Sequence, residues 1–130
     1  MEQTLLIIDD DENDVLLTKS IISKIGMGIR IEVASSGEEG LARLREGTIP
    51  PALILLDVKM PGISGIDVLR KIRDDRQLDP VPVVIITHSI LNNDLVASYK
   101  SGANSILLKT GDTDEFRRCI TNLIERFMAT

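Results

Sequence analysis

Ala52-Leu53-Ile54-Leu55-Leu56-Asp57-Val58-Lys59-Met60-Pro61-Gly62 decides the fold. An apolar run with no polar interruption delivers one carboxylate and then breaks into a Met-Pro-Gly turn. Such a run, bounded by turn residues, reads as a parallel strand buried on both faces. Ligands of open parallel sheets bind beyond the carboxyl ends of the strands, so Asp57 is expected at the mouth of a cleft. Taken alone, Asp57 reads equally well as a cap for the next turn or helix. The other strand ends weigh against that simpler role.

Upstream, Leu5-Leu6-Ile7-Ile8 runs into Asp9-Asp10-Asp11-Glu12, and the following helix places Leu17, Ile21 and Ile25 at four-residue spacing with Gly26 as its stop. Residues 29–34 alternate Ile29, Ile31 and Val33 with Arg30 and Glu32, as an edge strand does. Ser36-Gly37-Glu38-Glu39 fits a capping box for a second helix carrying Leu41 and Leu44. Downstream, a third helix begins near Ser64 with Val68, Leu69 and Ile72 on one side. Pro82-Val83-Val84-Ile85-Ile86 then ends in Thr87-His88-Ser89. The fourth helix, about residues 91–101, has only Leu91, Leu95 and Tyr99 in register, so its seat on the sheet is expected to be weak. Ser105-Ile106-Leu107-Leu108 arrives at Lys109. The last helix opens on the capping box Asp112-Thr113-Asp114-Glu115 and carries Phe116, Cys119, Ile120, Leu123, Ile124 and Phe127 at helical spacing. Five strands alternating with five helices predict an α/β fold, a doubly wound parallel sheet covered on both faces. A single domain over residues 1–130, with no output domain, is expected.

Composition narrows the function. The length of 130 residues suits one core, and with no Trp, one Tyr and two Phe that core must be aliphatic. A formal net charge of -5 argues against a nucleic-acid partner, whose phosphates favour a basic face. Cys119 is the single cysteine, which excludes an internal disulfide and suits a reducing compartment; its place in an apolar stripe predicts packing. The apolar run at the N-terminus is too short for a signal peptide, and no run approaches a membrane span. A cytoplasmic protein is expected, without a membrane partner.

Four strands deliver polar groups at one edge of the sheet: Asp9 and Asp10, Asp57, Thr87, and Lys109. Clustered carboxylates repel by about 4 kcal/mol per pair at close contact and intermediate dielectric, a cost that a divalent cation removes. An all-oxygen donor set with open positions suits Mg2+. An Asp can attack phosphorus to form an acyl phosphate, and Asp57, alone on the central strand, is the candidate. Lys109 would hold a phosphoryl oxygen, and Thr87 would donate its hydroxyl to another.

These motifs resemble the receiver domain of two-component response regulators, of the stand-alone kind. The resemblance covers essentially the whole chain. It rests on Leu-Leu-Ile-Ile-Asp-Asp-Asp, on the stretch from Leu53 through Asp57 to Gly65, on Val-Val-Ile-Ile-Thr87, and on Lys109. It implies strand order 2-1-3-4-5 in a flavodoxin-like fold. It also implies Asp57 as phosphoacceptor, with Mg2+ on Asp9, Asp10, Asp57 and the backbone carbonyl of Lys59. The implied role is a phosphorylation-dependent switch, a signalling protein and not an enzyme. The implied partners are a sensor histidine kinase or histidine phosphotransfer protein and a downstream protein, the latter met by the face of helix 4, strand 5 and helix 5. The chain would be a monomer or a phosphorylation-dependent homodimer.

Three positions depart from the family pattern. His88 follows Thr87 where a small residue is usual. Thr110 follows Lys109 where Pro is usual. Ile106 stands where an aromatic often switches rotamer. Two other readings stay open at this point. One is a receiver-like interaction module that is never phosphorylated. The other is an aspartyl-phosphate-forming phosphohydrolase of the haloacid dehalogenase kind, whose Asp-x-Asp spacing occurs in Asp9-Asp10-Asp11 but whose late acidic pair and cap domain do not.

Overall fold

A computed structural model describes residues 3–88, 92–109 and 111–128, with residues 92–95 as backbone alone. The elements run β1 (Gln3–Ile8), α1 (Glu12–Ser23), β2 (Ile29–Ala34), α2 (Gly37–Glu46), β3 (Leu53–Leu56), α3 (Gly65–Asp74), β4 (Val83–Thr87), α4 (Asn92–Lys100), β5 (Ser105–Leu108) and α5 (Thr113–Met128). The strands form one sheet in the order β2-β1-β3-β4-β5, with every neighbouring pair parallel. The expected α/β architecture and strand order are both present.

Strand alternation builds two cores. Leu6, Ile8, Ile54, Leu56, Val83 and Ile85 meet Leu41 and Leu44 of α2 and Val68, Leu69 and Ile72 of α3 on one face. Leu5, Ile7, Leu53, Leu55, Val84 and Ile86 meet Val15, Ile21 and Ile22 of α1 and Phe116, Ile120 and Ile124 of α5 on the other. β3 is buried along its whole length, so its apolar run serves both faces. β2 is an edge strand, as its alternation predicts, and most of it is only half-buried.

Helix starts follow the capping chemistry. Asp11 accepts from the backbone N–H groups of Asn13 and Asp14, Ser36 from Glu39, and Ser64 from Asp67. Asp112 accepts from Asp114 and Glu115. Gly65 is required where α3 meets β3, because a Cβ there would run into the carbonyl oxygen of Asp57. Behind the sheet, the Arg73 guanidinium donates to the carbonyls of Gly102 (2.9 Å), Asp79 (2.7 Å) and Val81 (2.8 Å) and to Asn104 Oδ1 (2.8 Å). This fork joins the loops that flank β4 and β5.

Several packing expectations are corrected. Leu17 of α1 is 37% exposed, and Ile25 lies beyond the helix end. Strict four-residue spacing winds about 40° around a helix per step, so such a stripe drifts off the sheet. The buried set is Val15, Thr18, Ile21 and Ile22, with the Thr18 hydroxyl satisfied by the Asp14 carbonyl at 2.9 Å. Among the described side chains of α4, Ser98 is buried and Tyr99 is exposed. Cys119 is half-buried, because α5 centres its buried line on Phe116, Ile120, Ile124 and Met128. Ile106 packs, half-buried, against the core on the α2 and α3 side. Ser89, Leu91, Thr110 and the side chain of Leu95 lie outside the described residues.

Candidate functional site

Sheet register brings the strand ends level. Ile8 pairs with Leu56, and Thr87 with Leu108, so Asp9 stands beside Asp57 and Lys109 directly follows the Thr87 pairing. The backbone continues this alignment: Asp57 N–H donates to Ile8 O at 2.9 Å and Lys109 N–H to Thr87 O at 2.6 Å. Asp9, Asp57, Thr87 and Lys109 are all buried, whereas Asp10 and Lys59 are exposed. An open cleft of about 600 Å³ lies above them, lined by Asp10, Asp14, Asp57, Lys59, Thr87 and His88 among others. Lys109 and Asp57 both line a small void beneath it, bounded by Ile8, Thr18 and Ile86.

Carboxylate oxygens of Asp9, Asp10 and Asp57 lie within 4.8 Å of one another. The electrostatics follow from this crowding. Asp57 is pushed up from 3.8 to about 6, chiefly by burial, and the negative charges of Asp9 and Asp10 act in the same direction. The Lys109 charge and the Lys59 backbone N–H pull it down without cancelling the rise. A basic pocket carboxylate of this kind takes readily to a cation or an electrophile.

Lys109 is paired with two carboxylates. Its Nζ donates to Asp9 Oδ2 at 2.7 Å and to Asp14 Oδ2 at 2.9 Å, while Asp57 feels it as a charge without an ion pair. Burial works to lower the Lys109 pKa, and the two carboxylate hydrogen bonds raise it on balance. Asp14 was not singled out from the sequence. Its burial raises its pKa, but hydrogen bonds from Lys109 and His88 outweigh that and lower it. One signal was available: Asp14 is the third helical residue of α1, and helical side chains lean back toward the N-terminus, here toward the strand-end cluster. His88, 63% exposed by its side chain, reaches over so that Nε2 lies 2.7 Å from Asp14 Oδ2. The structure thus gathers Asp9, Asp10, Asp57, Lys59, Thr87 and Lys109 at one edge of the sheet.

Known proteins share this fold. Residues 5–121 match the family model of the response regulator receiver domain. The chain is 40% identical over 106 residues to the transcriptional regulatory protein AfsQ1 of Streptomyces coelicolor; the match takes in 82% of this chain and 44% of that protein, so the chain spans under half of its relative's length. The fold is similar to that of the phosphorylated cyanobacterial phytochrome response regulator RcpA, with a TM-score of 0.93 at 24% identity, over 99% of this chain and 96% of that one. It is also similar to the bacteriophytochrome response regulator RtBRR, with a TM-score of 0.79 at 31% identity, over 95% and 78% of the two chains. Sheet order, strand-end chemistry and a family match over nearly the whole length converge, and the chain belongs to the response regulator receiver domains of two-component systems.

Proposed function

We propose that this receiver domain is a phosphorylation-dependent switch whose phosphoacceptor is Asp57. The observation that carries the reading is the setting of Asp57. It is a buried carboxylate raised to about 6 at the end of the central strand, flanked by Asp9 and Asp10 and open to the cleft lined by Thr87 and Lys59. An Asp57 oxygen attacks the phosphorus of a phosphohistidine. The P–N bond breaks with its electron pair passing to the imidazole, which then takes a proton from solvent, and Asp57 becomes an acyl phosphate. Lys109, on a flexible stem, pairs with one phosphoryl oxygen, and the Thr87 hydroxyl donates to another.

The donor set suits a divalent cation, because three carboxylates with oxygens within 4.8 Å repel one another unless neutralised. Asp9, Asp10, Asp57 and the Lys59 carbonyl would hold Mg2+, which supplies charge neutralisation to the transferring phosphoryl group. The phosphodonor would be a sensor histidine kinase or a histidine phosphotransfer protein. A downstream protein would meet α4, β5 and α5, where Val96 (50%), Tyr99 (55%) and Leu108 (43%) are exposed apolar contacts. The role is signalling rather than catalytic turnover. A cytoplasmic setting belongs to the same reading; among the described residues no helix is long and apolar enough to cross a membrane.

The test is incubation with a small acyl-phosphate donor and Mg2+, followed by intact-mass measurement. Wild type is expected to gain one phosphoryl group in a magnesium-dependent way, and Asp57→Asn none. Equal labelling of both proteins, or of neither, would favour a receiver-like module that is not phosphorylated at this residue.

A further inference from the structure

Asp14 joins three elements over the cleft. It stands in the first turn of α1, and its Oδ2 receives both Lys109 Nζ from the end of β5 (2.9 Å) and His88 Nε2 from the end of β4 (2.7 Å). We propose that Asp14 is a positioning residue: it holds Lys109 in a resting ion pair and passes the departure of Lys109 to the end of β4 through His88. The inference rests on Asp57 as the phosphoacceptor and adds what restrains Lys109 before phosphorylation.

Lys109 is buried at the end of β5. Its side chain is 5% exposed, so its ammonium needs acceptors at all times. Asp9 is one, but Asp9 also belongs to the carboxylate trio that suits a cation, and a cation there competes for the same carboxylate. Asp14 is outside that trio and keeps its hold on Lys109. Lys109 therefore has a seat away from Asp57 that a cation on Asp9, Asp10 and Asp57 does not remove.

A phosphoryl group changes the balance. It brings about -1.5 to -2 charge and three strong acceptors to Asp57, and draws Lys109 off Asp14. The Asp14 carboxylate is then left with His88 as its donor among the described residues. Because both donors share one oxygen, Lys109 cannot leave without altering the His88 contact. His88 directly follows β4, so the change enters the chain at the start of the segment leading to α4.

Opposite effects are expected from the two partners. Asp14→Asn abolishes the charge that holds Lys109 and should raise the affinity for beryllofluoride, a phosphoryl mimic, by roughly tenfold, the value of one charge-assisted hydrogen bond. His88→Ala removes the donor that steadies Asp14 once Lys109 leaves, and should lower that affinity several-fold; His88 is exposed, so this variant keeps its fold.

The experiment is a titration with beryllofluoride and Mg2+, followed by nuclear magnetic resonance of the untagged chain. The amide of residue 57 reports binding, and the ring of His88, the chain's single histidine, reports the contact with Asp14. Shifts of both signals in wild type, with affinity raised in Asp14→Asn and lowered in His88→Ala, support the proposal. A shifted residue 57 amide with an unmoved His88 ring overturns it and leaves the phosphoacceptor reading standing, as do affinities that change in the same direction or not at all. No response at residue 57 overturns both.

Discussion

Lys109 Nζ donates to Asp9 Oδ2 at 2.7 Å, so one member of the acidic cluster is neutralised from the fifth strand. Substituting Lys109 with an uncharged residue leaves Asp9 buried without that partner and removes a positive charge near Asp57. Lys109→Met is therefore expected to lose about 3 kcal/mol in metal-free urea unfolding at pH 7. It is also expected to bind Mg2+ more tightly than wild type, because the cation no longer shares the cluster with an ammonium. Calorimetric titration checks the second outcome; weaker Mg2+ binding would show that Lys109 organises the carboxylates and does not compete with the cation.

Asp57 carries a pH signature. Its folded pKa of about 6 lies above the ordinary 3.8, so the folded chain binds a proton more tightly than the unfolded one. Stability on this account is highest below pH 4 and is lost as pH rises through about 6. The shift amounts to about 3 kcal/mol undiscounted, and to about 2 kcal/mol once the screening of the open cleft is allowed for. Asp57→Asn is expected to be more stable than wild type by about 2 kcal/mol at pH 7.5 without metal. The two should converge by about pH 4. Urea unfolding at the two pH values, with and without Mg2+, checks this; saturating Mg2+ should erase the gap at pH 7.5.

Gly65 is a place where packing sets the chemistry. A Cβ there would overlap the Asp57 carbonyl oxygen and come within 2.8 Å of Val58 Cα, both backbone atoms that cannot step aside. Gly65→Ala should cost more than about 2 kcal/mol and reduce labelling of Asp57 by a phosphodonor, although Gly65 touches no ligand. Thermal unfolding and intact-mass labelling read the two effects. Normal labelling in a destabilised variant would separate the position of α3 from the function of Asp57.

Arg73 serves four acceptors with one guanidinium, and two of them, Gly102 O and Asn104 Oδ1, lie just after α4. Lys cannot reproduce that fork. Arg73→Lys is expected to cost about 2 kcal/mol and to speed amide exchange at residues 102–104 while leaving β3 protected. Hydrogen exchange reads this directly, and unchanged exchange at those residues would remove Arg73 from any account of how α4 is seated.

The inner strands β1, β3 and β4 were legible because burial on both faces forces unbroken apolar runs, and each of these ends in a polar residue at the same edge. The helix starts were legible from Asp11, Ser36, Ser64 and Asp112, whose side chains satisfy local backbone donors. Which helix residues face inward was less so: spacing alone placed Leu17 and Tyr99 inside, and the structure exposes them, since a strict four-residue stripe drifts around the helix. One partner of Lys109 was harder to see: Asp14 comes to it across a separation of 95 residues, and only its place in the first turn of α1 hinted at the contact. His88 was noticed as a departure, but its contact with Asp14 depends on that same turn.

The most direct measurement of the central claim is chemical trapping of the phosphorylated residue. An acyl phosphate on Asp is reduced by borohydride to homoserine, so peptide mapping after treatment with a phosphodonor and Mg2+ locates the acceptor. Homoserine is expected at position 57 and at no other carboxylate. Homoserine at position 9 or 10, or an acid-labile phosphate on His88 with residue 57 intact, would contradict it.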